Sequence, residues 1–113
     1  MYEALLGSLN KERILMFINS RGQGYAREIS KYFNTDLTPI QKQLEKLERG
    51  AILCSRNAGR TRLYSFNLGY PLIKEIKAFL DKAMMFMPDD ERNRLVMNRR
   101  RPRRQGKPLY PSS

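Results

Sequence analysis

Gln41, Lys42, Gln43, Lys46 and Arg49 crowd into the segment "TPIQKQLEKLERGA", residues 38–51. Side chains of these types hydrogen-bond nucleic-acid base edges and phosphates. Gln suits adenine, Lys suits guanine, and cations further along a helix meet phosphate oxygens. A few residues later "RNAGRTRLY" sets Arg56, Arg60 and Arg62 around a bend containing Asn57 and Gly59, and no acidic residue lies between Arg49 and Glu75. Three arginines on a hairpin tip suit phosphate or minor-groove contact. Glu45 has three readings: it accepts from a cytosine amino group, pairs with Lys42 or Arg49, or marks a position that nucleic acid does not reach. Each stretch alone also has a blander reading. Lysines on an amphipathic helix form a solvated face, and arginines on an edge strand deter sheet-to-sheet pairing. The two stretches standing side by side favour recognition.

The totals agree. The 113 residues carry 22 Lys and Arg against 11 Asp and Glu, a net charge of +11. Such self-repulsion suits a polyanionic partner, with nucleic acid first and an acidic membrane surface second. There is no His and one Cys, Cys54. That excludes an internal disulfide, Cys/His zinc sites and His-based acid–base chemistry. Asp89, Asp90 and Glu91 stand in a polar segment with no base, nucleophile or glycine-rich phosphate loop. No enzyme activity, metal or cofactor is therefore expected. No apolar run approaches the ~20 residues that span a bilayer, and "MYEALLGSLNKER" lacks the form of a secretory signal. These features predict a cytoplasmic protein with no membrane association.

Several elements must position the basic residues. The spacing predicts a helix over about 10–20, whose unbroken run Ile14–Ile18 points all round the cylinder and needs cover on more than one face. "SRGQG" ends it. Ala26, Ile29 and Phe33 predict a second helix in "YAREISKYF", and "NTD" is a turn. In the next helix Thr38 is expected to cap, Pro39 to take the first position, Gln41 to close a capping box with Thr38, and Gly50 to supply a left-handed stop. Ile40, Leu44 and Leu47 form its inward stripe. "AILCSRN" and "RTRLYSF" read as a hairpin bent at "NAG". Pro71 opens a last helix with Leu72, Ile76, Phe79, Leu80, Ala83, Met84 and Met87 apolar. The composition shifts near Pro88. Residues 1–87 form the expected domain, and 88–113 a basic, largely irregular tail containing "NRRRPRR", with one short helix from Pro88 through Leu95 and Val96.

Two short helices joined by a tight turn, the second capped and basic outside, make a helix-turn-helix. The expected class is α+β, mostly α: a winged helix-turn-helix of three helices, a two-stranded wing and a C-terminal dimerisation helix. In order and spacing, "ERILMFI", "YAREIS", "TPIQKQLEKLERGAI" and "GRTRLYSFN" resemble the ArsR-type winged helix-turn-helix regulators across about residues 8–85. The resemblance implies a homodimer joined through its first and last helices, with recognition helix 39–49 and wing 53–66. It marks Phe17, Leu72, Ile76, Phe79, Leu80, Ala83, Met84 and Met87 as interface. Metal-sensing members use clustered Cys and His, which this chain lacks, so their ligands do not carry over. Cys54 reads as a small core residue, with a redox role as the weaker alternative.

The expected function is sequence-specific binding of double-stranded DNA by a homodimeric transcription repressor. Its expected contacts are Thr38, Pro39, Gln41, Lys42, Gln43, Lys46, Arg56, Arg60 and Arg62. The alternative is a winged-helix protein–protein adaptor or antitoxin-like module. An RNA partner is disfavoured by the lack of an aromatic stacking platform. Met84 to Met87 either fill a helix–helix interface or line a pocket for a small-molecule or protein effector.

Overall fold

The run Ile14–Ile18 is buried from end to end, which no single packing partner could achieve. It forms the middle of α2 (Leu9–Arg21), which opens on Ser8, whose hydroxyl accepts the Lys11 N–H at 3.0 Å. The computed structural model describes residues 1–97 and shows what covers this helix. A short α1 (Glu3–Leu6), not expected from the sequence, lies beside it. α3 (Ala26–Tyr32), α4 (Leu37–Arg49), the strands β1 (Leu53–Ala58) and β2 (Thr61–Phe66), α5 (Ile73–Met85) and α6 (Asp89–Met97) follow. Ile29, Ile40, Leu44, Leu53, Leu80 and Leu95 close the core around α2.

The helix-turn-helix is α3 and α4. α3 ends with Asn34 in the left-handed region at φ 53, while Thr35 N–H reaches Ser30 O at 2.9 Å and Asn34 N–H reaches Lys31 O at 3.1 Å. This paired closure satisfies carbonyls that a helix end otherwise leaves open, and Asn tolerates the left-handed position. The start expected at Thr38 falls earlier. Asp36 is the N-cap residue, Thr38 and Pro39 lie inside the first turn, and no Thr38–Gln41 box forms. Pro39 is tolerated there because the first-turn N–H groups have no intrahelical acceptor anyway.

The stop of α4 is also displaced. Gly50 has φ −80, and the left-handed residue is Ala51 at φ 66. Ile52 N–H bonds Leu47 O at 3.0 Å and Ala51 N–H bonds Glu48 O at 2.9 Å, the same double closure seen at Asn34. The glycine therefore stands one residue before the position that needs it.

In the hairpin, β1 and β2 are antiparallel with Leu53 opposite Phe66 and Ala58 opposite Thr61. The bend is thus Gly59-Arg60 rather than Asn57–Gly59. Gly59, at φ 65, takes the sign that a two-residue hairpin loop requires at its first position. The hairpin is tied to the body through Gly24, which exchanges backbone hydrogen bonds with Tyr64 at 3.0 and 2.8 Å.

The compositional break at Pro88 does not coincide with the end of the packing. Leu95 on α6 is buried in the core, and Arg21 Nε donates to Leu95 O at 2.8 Å. Arg94 donates to Tyr32 O at 3.0 Å. The Tyr32 ring lies close to two guanidinium groups, Arg94 at 4.4 Å and Arg21 at 4.9 Å. The "RRRPRR" segment lies outside the described residues.

Candidate nucleic-acid interface

An α-helix turns about 100° per residue, so the burial of Ile40, Leu44 and Leu47 fixes where every other side chain of α4 points. Thr38, Lys42, Glu45 and Arg49 fall opposite that stripe and are exposed, as are Pro39 and Lys46 beside them. Gln41 and Glu48 share one margin, Gln41 exposed and Glu48 partly covered. Gln43 sits at the other margin. It is half-buried, and its Oε1 is enclosed with no hydrogen-bond partner among the described residues. Gln43 is therefore poorly placed to read a base, whereas Gln41 and Lys42 stand clear. Glu45 forms no ion pair with Lys42 or Arg49.

The wing arginines, adjacent in sequence, separate in space. Alternation along β2 puts Arg62 on the face of Tyr64 and Phe66, which is the face packed on the body. Just beyond the buried pair, Arg62 Nη1 reaches Ser55 Oγ at 3.0 Å and Glu48 Oε1 at 3.8 Å. Ser55 Oγ in turn donates to Glu48 Oε2 at 2.6 Å. The wing is thus tied to α4 at Glu48, on the margin that Gln41 shares. Arg56 lies on the opposite sheet face, opposite Leu63, with Nη2 3.5 Å from Gln23 Oε1. Arg60 occupies the bend, exposed.

Lys42, Lys46, Arg49, Arg56 and Arg60 are thus exposed cations with no ion pair among the described residues. Burial raises the Tyr64 hydroxyl pKa above its usual value; the nearby Glu48 carboxylate adds to the effect and Arg62 opposes it. Cys54, expected in the core, is exposed on the outer sheet face, with Sγ 3.7 Å from Ser65 Oγ.

The residues expected at a dimer interface divide. Phe17, Leu80 and Ala83 are buried within the single chain and offer no surface. Phe79 packs edge-on to Tyr2 with ring centroids 5.4 Å apart, and Met84 Sδ receives the Ser20 hydroxyl at 3.2 Å. Ile76 and Met87 are partly covered and Leu72 is exposed. Met85 and Phe86 of the Met84–Met87 cluster are exposed, as are Leu5, Leu9 and Leu68, which the sequence reading did not single out. A cleft of about 600 Å³ opens between α2 and the α5–α6 junction, with Met16, Phe33, Met87, Arg13, Glu12 and Arg94 in its wall. The described residues hold no cluster of three or more His, Cys, Asp or Glu placed for a metal ion. None of their helices is long and apolar enough to cross a membrane.

No protein-family model matches the chain, and no curated protein is similar to it. Solved structures are. The adhesin competence repressor AdcR of Streptococcus pyogenes aligns with TM-score 0.52 at 19% identity, covering 85% of this chain and 72% of that one. BpsR of Bordetella bronchiseptica, whose DNA binding is regulated by 6-hydroxynicotinic acid, gives TM-score 0.51 at 16% identity, covering 82% and 76%. ZitR of Lactococcus lactis, a zinc-responsive MarR family member, gives 0.50 at 15% identity, covering 80% and 70%. The fold is a winged helix-turn-helix. The family named among these neighbours is MarR, and the ArsR-type assignment finds no support in them. At these identities the likeness establishes the fold and not a branch.

Proposed function

We propose that this chain is a sequence-specific, double-stranded-DNA-binding transcription regulator that acts as a homodimeric repressor. The observation that carries the reading is the docking of the wing on the Gln41–Glu48 side of α4 through Glu48, Ser55 and Arg62. It ties the basic hairpin to the basic helix, which supports a helix in the major groove with the hairpin over the adjoining backbone. Gln41 and Lys42 read base edges from the N-terminal half of α4. Thr38, Pro39, Lys46, Arg49, Arg56 and Arg60 meet sugar and phosphate, releasing condensed cations. The regulators among the structural neighbours are consistent with this role.

The dimer reading rests on the exposed apolar side chains around α5, Leu72, Met85 and Phe86 foremost, with Ile76 and Met87 partly covered beside them. A second copy related by two-fold symmetry covers them and places the recognition helices about one DNA turn apart, roughly 10 base pairs. The cleft beside α2 has the size of a small-molecule site and supports an effector there.

Selection of bound duplexes from a random DNA pool tests the reading. The expected result is an inverted repeat with that spacing, and Gln41→Ala changing preference at one or two positions per half-site. A pool that yields no enriched sequence, with the protein co-purifying with another polypeptide, contradicts it and favours the adaptor alternative.

A further inference from the structure

The geometry points to Glu48, Ser55 and Arg62 as the joint that fixes the angle between recognition helix and wing, with Arg62 a positioning residue rather than a phosphate contact. This rests on the DNA-binding reading above.

Three observations carry it. First, strand alternation puts Arg62 on the face of Tyr64 and Phe66, its side chain still 53% exposed, while Arg60 occupies the bend and Arg56 the outer face. Second, Ser55 Oγ is a relay. It accepts from Arg62 at 3.0 Å and donates to Glu48 at 2.6 Å, so a serine on β1 couples an arginine on β2 to a carboxylate on α4. Third, the other polar tethers of the hairpin lie elsewhere. The Gly24–Tyr64 exchange meets the hairpin at the Ser55–Tyr64 pair but ties it to the turn before α3, the Asn67 bond to Ala51 O at 2.9 Å holds its base, and Arg56–Gln23 lies on its outer face. Among the described residues, no other side-chain hydrogen bond or ion pair links the hairpin to α4. The tip bearing Arg60 projects beyond this joint.

The joint also withholds charge. A guanidinium held beside a carboxylate presents little net charge to a polyanion, so Arg62 releases few counterions on binding. Glu48, on the margin it shares with Gln41, repels phosphate unless Arg62 stays with it. Breaking the joint therefore acts differently on specific and non-specific DNA. The operator needs a fixed wing angle, whereas random duplex needs only charge.

The test compares the full-length parent with Ser55→Ala, Glu48→Gln, Arg62→Ala and the Ser55→Ala/Arg62→Ala double variant. Binding is measured to the selected operator and to a random duplex across salt, and hydrogen exchange of the Asn57–Thr61 amides is followed in the free protein. Ser55→Ala and Arg62→Ala are each expected to weaken operator binding about fivefold to tenfold, a loss on the scale of one ordinary intramolecular hydrogen bond. The double variant loses no more than either single one. Glu48→Gln also weakens operator binding but tightens random-duplex binding a few-fold. In all of them amide exchange at the tip quickens. The inference is overturned if Arg62→Ala weakens every duplex alike and lowers the salt slope by about 0.9 per protomer, the value for a lost phosphate contact. It is equally overturned if Ser55→Ala changes neither operator affinity nor tip exchange. A parent that binds no duplex overturns it through the DNA reading, a case told apart because tip exchange still responds to Ser55→Ala.

Discussion

Gly24→Ala tests how the wing is tied to the body of the domain. A Cβ at this position would lie 2.9 Å from Phe17 Cε1, 3.1 Å from Cδ1 and 3.3 Å from Ile29 Cδ1. Carbon pairs are comfortable at about 3.5–4.0 Å, so something must give. Phe17 cannot easily do so: it is fully buried, with the Tyr32 ring 5.6 Å away edge-on and the Arg21 guanidinium 4.4 Å over its face. Gly24 cannot retreat either, because both its N–H and its C=O are engaged by Tyr64. Overpacking of this kind costs about 1–3 kcal/mol, and loss of glycine's unfolded-state freedom offsets about 0.4–1 kcal/mol. The net loss is about 1–2 kcal/mol. For a domain of this size that lowers the midpoint of thermal unfolding by roughly 5–15 °C. Unfolding followed by far-ultraviolet circular dichroism, in heat and in urea, measures it. In a Phe17→Leu background the same substitution should cost less than half as much, because the clashing ring is gone. A Gly24→Ala protein as stable as the parent, or one equally destabilised with and without Phe17, would refute the close-approach argument.

The displaced glycine gives a prediction of opposite sign. Ala51 holds a left-handed conformation at φ 66 that costs an L-residue about 1–2 kcal/mol. Ala51→Gly should therefore stabilise the fold by about 0.5–1 kcal/mol after glycine's entropy is counted. Gly50→Ala should be neutral or better, since its Cβ meets Lys46 O at an ordinary 3.5 Å. Urea midpoints check both, and a destabilised Ala51→Gly would contradict the assignment of the helix stop. Alkaline stability follows from Tyr32. Burial raises its pKa above 10.0, although Arg94 and Arg21 pull it down, and Tyr64 is raised chiefly by burial as well. A pKa higher in the folded than in the unfolded state gives stability that is intact below about pH 10 and is lost as pH rises through the folded value. Unfolding free energy should decline more steeply above pH 10 than below it, with Tyr32→Phe flattening the decline above pH 10. An unchanged decline in that variant would count against the assignment.

Much of the fold was legible because its signals are local. The stripe Ile40, Leu44, Leu47 is buried as the helical period demands, and Tyr64 and Phe66 share the inner face of β2 as alternation requires. The short helix after Pro88 was also visible from its acidic first turn. What escaped was non-local or turned on one residue. Gly50 looked like the helix stop because glycine is the usual choice, yet the hydrogen bonds put Ala51 there. Arg56 and Arg62 looked equivalent in sequence, but six residues of antiparallel pairing send them to opposite faces. Nothing in the spacing of Glu48, Ser55 and Arg62 announces a relay, since it exists only once the hairpin docks on α4. Phe17, Leu80 and Ala83 satisfied the pattern of an interface because an apolar helix face reads the same whether a neighbouring helix or a second copy covers it.

The central claim is that the bend of the wing and the outer face of α4 bind one duplex together. It is tested most directly by the dependence of operator affinity on salt for the parent and for Arg60→Ala. The expected result is a steep linear fall of log Kobs with log salt, a slope shallower by about 0.9 per protomer in the variant, and weaker binding to every sequence alike. A parent slope near zero, or one that Arg60→Ala leaves unchanged, would contradict it.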